Sequence, residues 1–439
     1  MLDASTTKRM SLQLSKVADR AKQAPGWKFH SLAYLIDEEA LKRAYHRIRE
    51  DAAVGVDGIT KEMYGQELDA NLHDLHERLK SMRYRHQPIR RVHIPKDRGK
   101  TRPIGIACFE DKLVQEAIRE VLEAIFEQDF LDCSYGFRPG RGAHDALRTL
   151  DRAIYRGKVK WILEADITSF FDNLSRTQLS EMLRERVVDG SILRLVGKCL
   201  HVGVLEGEQY SEPEVGTTQG SILSPLLGNI YLHQVLDRWF EFEVKLRLRG
   251  RAILVRYCDD FVMGFEHRED AERAMAILPK RMQRYGLSLH REKTRLLEFR
   301  QPPRCYAGRK GPATFDFLGF TLYWRRTRGG TWQHTCKTRT ARISRAIRSI
   351  HDWCRCHRHL SVKDQHAALS RRLRGHYNYF GVNGNLHCLQ VVAYHARRSW
   401  YKWLCRRSQK KRLNWKRFND LLRDFPLPRP RVGVQLWGR

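Results

Sequence analysis

The sequence predicts an α+β protein in which strands and helices alternate through the middle of the chain and helices fill its last quarter. Three observations lead to this fold class. Residues 96–325 alternate strand-like apolar runs with helix-like segments. Residues 326–430 instead place aromatic residues at helical spacing among many basic ones. The chain has 439 residues, 42% of them hydrophobic, which is enough to bury about two or three cores.

Turn signals divide the chain into four expected units. Helical patterns near residues 38–50 and 61–79 lie on either side of the turn Gly55-Val56-Asp57-Gly58. The basic segment 325–330 ends in Gly-Gly and is the predicted linker before the last quarter of the chain. The first predicted unit (1–95) contains an N-terminal extension and the start of the unit that follows. The others are a strand-and-helix unit (96–325), a helical module (326–430) and a short tail (431–439).

Two neighbouring apolar runs predict a β-hairpin with acidic residues at its tip. Residues 252–257 and 261–265 are mostly apolar, and Cys258-Asp259-Asp260 lies between them. The two carboxylates should therefore point beyond the turn. An Asp-Asp pair on its own is more often a solvated hairpin tip, because aspartate favours turns.

A third aspartate ends another predicted strand. The apolar run at residues 159–163 leads to Asp166, and Asn173 and Ser175 are candidate helix caps after it. Carboxylate oxygens are preferred ligands of Mg²⁺, and two such ions about 4 Å apart can activate a 3′-hydroxyl and stabilise a leaving pyrophosphate. Together with the hairpin pair, this aspartate predicts a two-metal site for nucleotidyl transfer.

A series of motifs in a fixed order resembles one known family. A glycine-rich turn and a helical stretch, residues 216–232, lie between the two carboxylate segments. The other matching blocks are residues 55–58, 91–96, 102–103, 134–141, 317–320 and 373–379. In this order they make the chain similar to the group II intron reverse transcriptases/maturases, in the form without the C-terminal HNH endonuclease domain. The resemblance implies a right-hand polymerase, with fingers and palm on antiparallel sheet and an α-helical thumb, also called the maturase domain.

The resemblance also implies roles for single residues. The implied ligands of two Mg²⁺ ions are Asp166, Asp259, Asp260 and the backbone carbonyl of Ile167. Phe171 would stand against the sugar of an incoming dNTP and exclude ribonucleotides by a clash with the 2′-hydroxyl, unless it is an ordinary core residue. The other implied nucleotide-binding residues are Lys96 and Arg102 at the triphosphate, Gln219 in the pocket and Lys293 near the leaving pyrophosphate. For Lys96 and Arg102, the alternative is a solvated surface charge.

Positive charge is concentrated in the last quarter of the chain. The formal net charge is +31, and residues 325–439 hold 28 Lys and Arg against 4 Asp and Glu. Such an excess of one sign repels itself unless a polyanion binds, and aromatic residues at helical spacing indicate a folded module. We therefore expect the module to bind RNA. The candidate RNA-binding residues are Arg397, Arg398, Arg406, Arg407, Lys410 and Lys411.

These features together predict an RNA-directed DNA polymerase that also binds structured intron RNA as a splicing cofactor for intron mobility. Its expected partners are template or intron RNA, a DNA or RNA primer, and dNTPs. Two alternatives stay open: a domesticated relative in phage defence or DNA repair, and an RNA-binding splicing factor with a vestigial polymerase. No apolar stretch reaches the roughly 20 residues of a membrane span, and the ten cysteines form no regular framework. We therefore expect no membrane partner and a cytoplasmic location.

Overall fold

Fourteen α-helices and eleven strands make up the part of the chain that the structure describes. The structure is a computed structural model, and it describes residues 11–95, 101–156, 158–206, 209–211, 216, 220–305, 312–407 and 413–436. Helices dominate both ends of the chain, and the strands between them form three sheets. This architecture confirms the α+β class.

Polar side chains cap several of the helices. Ser175, a predicted cap, accepts a hydrogen bond from the backbone N–H of Gln178. In chain order the helices are α1 (Leu12–Gln23), α2 (Glu38–Arg47), α3 (Lys61–Gly65), α4 (Leu68–Lys80), α5 (Phe109–Phe126), α6 (Ala143–Arg156), α7 (Arg176–Arg184), α8 (Gly190–Leu200), α9 (Ser224–Leu232), α10 (Arg268–Arg284), α11 (Thr340–Cys356), α12 (Val362–Phe380), α13 (Leu386–Cys405) and α14 (Trp415–Asp424). The single helical pattern expected at 61–79 is two helices, because the chain breaks after Gly65, a residue that weakens helix interiors.

The strands form one mixed sheet and two antiparallel sheets. In chain order they are β1 (Ile89–Pro95), β2 (Thr101–Ile106), β3 (Trp161–Asp166), β4 (Val204–Glu206), β5 (Gln209–Ser211), β6 (Ala252–Tyr257), β7 (Asp260–Phe265), β8 (Arg295–Glu298), β9 (Phe315–Phe317), β10 (Phe320–Arg326) and β11 (Trp332–Thr338). The strand orders are β2-β1-β4-β5, β6-β7-β3-β8 and β11-β10-β9. Only β1 and β4 pair in parallel among these strands. The second sheet, called the central sheet below, carries all three predicted aspartates.

The central sheet is buried on both faces. Alternate side chains of a strand point to opposite faces, so Phe261, Met263 and Phe265 of β7 enter the largest hydrophobic core. Val262 between them enters a second core, which α6 and the third sheet complete. Burial on both faces explains why this strand reads as a continuous apolar run.

The C-terminal helices form a module with a core of their own. Helices α11 to α14 surround Trp400, whose side chain is fully buried. The sequence predicted a linker at 325–330, and this prediction is wrong. The segment is the end of β10 and the turn of the β10–β11 hairpin, in which Arg326 pairs with Trp332. Cross-strand pairing therefore extends the sheet beyond the Gly-Gly signal, and the first helix of the module begins at Thr340. No helix in the described residues is both long enough and apolar enough to cross a bilayer.

Candidate active site

Strand pairing brings two of the predicted aspartates face to face. In the antiparallel register between β3 and β7, Asp166 lies directly opposite Asp260. Residues paired in this way have Cβ atoms about 4.5–5.5 Å apart. The two carboxylates therefore share one edge of the central sheet.

Asp259 lies in the turn that joins β6 to β7. Tyr257 pairs with Asp260, which leaves Cys258 and Asp259 as the two turn residues. Cys258 has a φ of 58°, the left-handed conformation that such tight hairpin turns use and that costs a non-glycine residue about 1–2 kcal/mol. The sequence placed all of Cys258-Asp259-Asp260 at the tip, but Asp260 begins the strand and is held by its pairing.

A buried arginine fixes this turn from the core side. Arg256 of β6 forms an ion pair with Asp237, with Nη2 2.5 Å from Oδ2, and neither side chain is exposed to solvent. Its Nη1 donates hydrogen bonds to the carbonyl oxygen of Cys258 at 3.1 Å and to Oδ1 of Asn229 at 2.8 Å. Removing one partner of such a pair costs about 3–5 kcal/mol, because a buried charge is left uncompensated. The core therefore supplies the hydrogen bonds that hold the left-handed turn.

The loop before α6 packs against the same turn. A Cβ on Gly136 would lie 2.5 Å from the backbone nitrogen of Cys258, so this close approach requires glycine. Asn229 donates from Nδ2 to the carbonyl oxygen of Gly136 at 2.7 Å, and Ser134 accepts at Oγ from Arg256 at 2.8 Å. The motif at 134–141 thus supports the turn of Cys258 and Asp259 through its backbone and through the Ser134 hydroxyl.

The pKa of the Asp260 carboxyl is raised by its surroundings. The carboxylate is accessible to solvent on one side, yet crowding by protein atoms reduces its hydration. This loss of hydration, followed by the negative charges of Asp259 and Asp166, raises the pKa of Asp260 to about 6. Arg342 and Lys293 act in the opposite direction. A bound cation would relieve the mutual repulsion of the three carboxylates.

Lys293 lies beside the first aspartate. Its Nζ is 2.5 Å from Oδ2 of Asp166 and balances part of the charge at this edge. As the side chains stand, no three Asp, Glu, His or Cys residues of the described ranges surround one point closely enough to hold a metal ion. The carboxylate oxygens and the adjacent carbonyl of Ile167 are nevertheless hard donors of the kind that Mg²⁺ binds. The residues therefore fit a divalent ion by donor type and by charge.

Phe171 stands half-buried at the start of the segment after β3. Its ring meets the ring of Phe170 edge-on, with the centroids 5.0 Å apart. A Cβ on Gly228 of α9 would lie only 3.2 Å from the Phe171 ring, so the glycine makes room for it. Phe171 is therefore fixed by packing on one side and accessible on the other.

Two glycines of the glycine-rich turn, Gly216 and Gly220, pack closely against other backbone segments. Gly216, with φ 87°, packs against the backbone carbonyl of Phe171. Gly220, with φ 111°, packs against the carbonyl of Gly105 in β2. The turn therefore connects the segment of Phe171 to the strand of the first sheet. Gln219 lies between these two glycines, outside the described residues.

The β1–β2 hairpin carries the two predicted triphosphate contacts. Arg102 of β2 is exposed and pairs with Ile94 of β1 through the strand register. Lys96 follows β1 and lies outside the described residues. The exposed position of Arg102 suits both an anion contact and an ordinary surface charge.

The matching block at residues 317–320 forms a hairpin turn. Leu318 and Gly319, with φ values of 50° and 80°, form the tight turn between β9 and β10. Tyr379 of α12 donates its hydroxyl hydrogen to the carbonyl oxygen of Leu318 at 2.9 Å. The helical module is thus attached to the third sheet by a motif residue.

Sequence reasoning missed two arginines of the site. Arg342 of α11 lies beside Gly319 and close enough to Asp260 to oppose the rise of its pKa. Nothing in the sequence distinguishes Arg342 from the other basic residues of its module. Arg256 did leave a signal, since a single arginine inside an apolar strand requires a buried partner.

The predicted RNA-binding residues have different surroundings. Arg397 and Arg398 are exposed on α13, and the guanidinium of Arg406 lies 5.2 Å from the ring centroid of Trp403. Arg407 donates to two backbone carbonyls in the loop between α11 and α12. This contact gives Arg407 a structural task as well. The remaining two, Lys410 and Lys411, lie outside the described residues.

A central antiparallel sheet with opposed aspartates, followed by a basic helical module, defines a right-hand polymerase. Residues 94–322 match the family model described as reverse transcriptase (RNA-dependent DNA polymerase). The chain is 38% identical over 215 residues to the group II intron-encoded protein LtrA of Lactococcus lactis subsp. cremoris, which covers 49% of this chain and 35% of that protein. The chain therefore belongs to the reverse transcriptase family, and within it to the group II intron-encoded reverse transcriptases/maturases.

Two further relatives differ in how much of their length this chain matches. Protein YkfC of Escherichia coli (strain K12) is 33% identical over 311 residues, which covers 63% of this chain and 77% of that protein. Nuclear intron maturase 2, mitochondrial, of Arabidopsis thaliana is 28% identical over 177 residues, or 31% of this chain and 24% of that protein. The chain thus spans about a third of the length of LtrA and most of the length of YkfC. Reverse transcriptase domains generally use divalent metal ions. The three aspartates lie within the family match, whereas Arg397 and Arg398 lie beyond it.

Proposed function

We propose that this protein is an RNA-directed DNA polymerase that extends a DNA or RNA primer with dNTPs along an RNA template. The observation that carries this proposal is the register that sets Asp166 opposite Asp260 beside the turn residue Asp259. It concentrates three carboxylates at one edge of a sheet, where burial and the charges of Asp259 and Asp166 raise the pKa of Asp260. Such a concentration of charge is costly unless cations use it.

The proposed metal is Mg²⁺, in two ions. Their proposed ligands are Asp166, Asp259, Asp260 and the backbone carbonyl of Ile167. When bound, such ions activate the attacking 3′-hydroxyl and stabilise the leaving pyrophosphate. The protein keeps the ligands in place, since strand pairing holds two of them and Arg256 holds the turn of the third. Lys293, now against Asp166, would donate a hydrogen bond to the pyrophosphate in this proposal.

The nucleotide site is proposed to lie between the central sheet and the β1–β2 hairpin. Gly220 against Gly105 joins these two regions, which supports the assignment. Phe171 would face the sugar, and its packed ring would clash with a 2′-hydroxyl. The proposed contacts to the rest of the nucleotide are Lys96, Arg102 and Gln219.

The helical module is proposed to bind structured intron RNA as a splicing cofactor. The 28 Lys and Arg against 4 Asp and Glu in residues 325–439, which include the module, support this role, because neutralised phosphates supply affinity. The proposed contacts are Arg397, Arg398, Arg406, Arg407, Lys410 and Lys411. All ten cysteines are unpaired thiols, which suits the reducing cytoplasm that we propose as its location.

The test of polymerase activity is primer extension on an RNA template, with Mg²⁺ or with a chelator. We expect cDNA only with the metal. Asp69→Asn, at an exposed carboxylate paired with Lys42 far from the site, is the matched control and should keep the wild-type rate. A folded wild-type protein that binds RNA but makes no cDNA would establish the alternative, a splicing factor with a vestigial polymerase.

The role of Phe171 has a separate test. Phe171→Ala should raise ribonucleotide use relative to dNTP use, because the ring no longer blocks the 2′-hydroxyl. Alkali-labile extension products measure the effect. Phe170→Leu, a change at the fully packed neighbour, is the control for core damage. Unchanged discrimination in a folded Phe171→Ala protein would return Phe171 to a purely structural role.

A further inference from the structure

Helix α13 has one buried face and one exposed face of unusual composition. The buried face belongs to the core of the module and consists of Leu389, Val392, Ala396, Trp400, Trp403 and Leu404. Tyr394, Arg397, Arg398 and Tyr401 follow a spacing of three and four residues, so they line up on another side of the helix. That side alternates aromatic rings with guanidinium groups.

The first ring of this side is largely open to solvent. Tyr394 is 55% exposed, although a tyrosine ring usually buries its apolar faces. Arg398 donates from Nη1 to the Tyr394 hydroxyl at 2.9 Å, and its guanidinium carbon lies 5.5 Å from the ring centroid. The arginine thus holds the ring in place while much of its surface remains accessible.

Helix α14 adds a second accessible ring. Trp415 stacks on Tyr401, with centroids 3.9 Å apart and planes at 22°, yet it is still 43% exposed. The guanidinium carbon of Arg397 lies 5.8 Å from the Trp415 ring centroid, and Arg397 also donates to the side chain of Asn419. The Tyr401 ring therefore covers one face of the Trp415 indole.

The charge of this surface has one sign. None of the 20 residues of α13 is acidic. On α14, the two acidic residues are Asp420, which pairs with Arg423 at 3.1 Å, and Asp424, the last residue of the helix. The arginines beside the rings therefore have no nearby carboxylate on their own helix to neutralise them. Exposed rings supported by unneutralised arginines are suited to a ligand with flat groups and negative charge.

We propose that Tyr394, Arg397, Arg398, Tyr401 and Trp415, here called the α13 strip, bind unpaired nucleotides of RNA. Bases stack on the open faces of Tyr394 and Trp415, and the two arginines contact the phosphates between them. The seven helical steps from Tyr394 to Tyr401 span about 10 Å, which accommodates a short run of nucleotides. The choice of RNA rests on the proposed function, whereas the choice of unpaired nucleotides rests on the rings.

The strip selects unpaired over paired nucleotides for a physical reason. In a duplex the faces of the bases are covered by neighbouring bases, so protein rings cannot stack on them. A surface that served duplex RNA would need only its cations. The exposed rings therefore distinguish the α13 strip from the rest of the basic module.

The test measures binding of the full-length protein to a short oligouridylate, to its oligothymidylate counterpart and to a blunt RNA duplex of equal length. Tyr394→Ala should weaken oligouridylate binding roughly tenfold, as loss of one stacked base does, and leave duplex binding unchanged. Tyr394→Phe should keep wild-type affinity, since the ring stays. Tyr155→Ala is the control, because Tyr155 is an even more exposed tyrosine (76%) that lies on another helix, α6, outside the strip.

Salt dependence separates the rings from the arginines. Tyr394→Ala should lower affinity at every salt concentration without changing the log-log slope, whereas Arg398→Ala should reduce the slope by about 0.7. Wild-type oligouridylate affinity in Tyr394→Ala overturns the proposal, and so does an equal loss for the duplex. A larger loss for oligothymidylate than for oligouridylate overturns the choice of RNA. Primer extension reports on the polymerase separately, so a protein without cDNA synthesis whose ring variant still loses oligouridylate binding retains the strip but not the proposed enzyme.

Discussion

The edge of the central sheet that carries the three aspartates, here called the catalytic edge after its proposed role, and the basic face of the helical module hold their charges in opposite ways. At the catalytic edge, Arg256 and Asp237 are fully buried and paired with each other. On the module, Arg397 and Arg398 are exposed and lie beside aromatic rings. Buried charges fix geometry, because any displacement leaves them without partners. Exposed charges supply affinity, which depends on salt and tolerates displacement.

The two regions should therefore respond differently to mutation. A change at the catalytic edge should remove chemistry in an all-or-none manner and leave RNA affinity intact. A change on the module should reduce affinity in steps and leave the chemistry intact. Four measurements test this distinction.

The largest effect is expected at the aspartates. Asp259→Asn and Asp260→Asn should each slow primer extension by at least about a hundredfold, because each removes a ligand charge and every 1.4 kcal/mol is a factor of about ten in rate. RNA affinity should stay at the wild-type value, and circular dichroism should show an intact fold. Loss of RNA binding in either variant would show that the two regions are not separable.

The next effect concerns the support of the turn. Arg256→Met should lower stability by about 3–5 kcal/mol, because Asp237 is left buried without its partner. The double variant Arg256→Met/Asp237→Leu should regain much of this stability, since no unpaired charge remains. It should still extend primers at least about tenfold more slowly, because nothing holds the Cys258 carbonyl. A double variant with both stability and rate restored would mean that the turn positions itself.

A smaller and graded effect is expected on the module. Arg397→Gln/Arg398→Gln should reduce the slope of log affinity against log salt by about 1.5, from two lost phosphate contacts. Extension of a pre-annealed primer at low salt should change little. Arg407→Gln is the contrasting variant, because it removes donors to backbone carbonyls and should lower the melting temperature instead. A wild-type slope in the double variant would place the RNA elsewhere.

The smallest effect is a pH dependence of stability without metal. The folded protein raises the pKa of Asp260 to about 6, above its value near 4 in an unfolded chain, so folding is favoured by protonation. This contribution is present below about pH 4 and is lost as the pH rises through about 6. Asp260→Asn lacks the charge and should melt at a higher temperature than the wild type near neutral pH, but not at about pH 4. If the two proteins differed equally in melting temperature at both pH values, the Asp260 charge would not be repelled by its neighbours.

Local patterns predicted the strands around the three aspartates and one of the helix caps. The apolar runs around Asp166, Asp259 and Asp260 form strands as expected, and Ser175 caps α7. These features depend on neighbours in sequence, so composition and spacing are sufficient to find them. The prediction of a linker at 325–330 failed for the same reason, because Gly-Gly occurs both in linkers and in hairpin turns.

The support of the site could not be read in this way. Asp237 reaches Arg256 from a π-helical segment, His233–Asp237, whose extra residue per turn the apolar pattern does not show. Asn229 and Ser134 come to the same guanidinium from separate parts of the chain. Contacts between distant segments depend on packing, which no local pattern reports.

The sequence by itself determined which groups this protein has: three aspartates at strand ends, a glycine-rich turn and a strongly basic C-terminal quarter. The tertiary structure decided how they meet. It set Asp166 opposite Asp260 by register, placed Arg342 near Asp260, and gave α13 a side on which rings and arginines alternate in the open. The physical reason is that residue type fixes charge and hydrogen-bonding capacity, whereas ionisation, strain and accessibility depend on what the folded chain packs around each group.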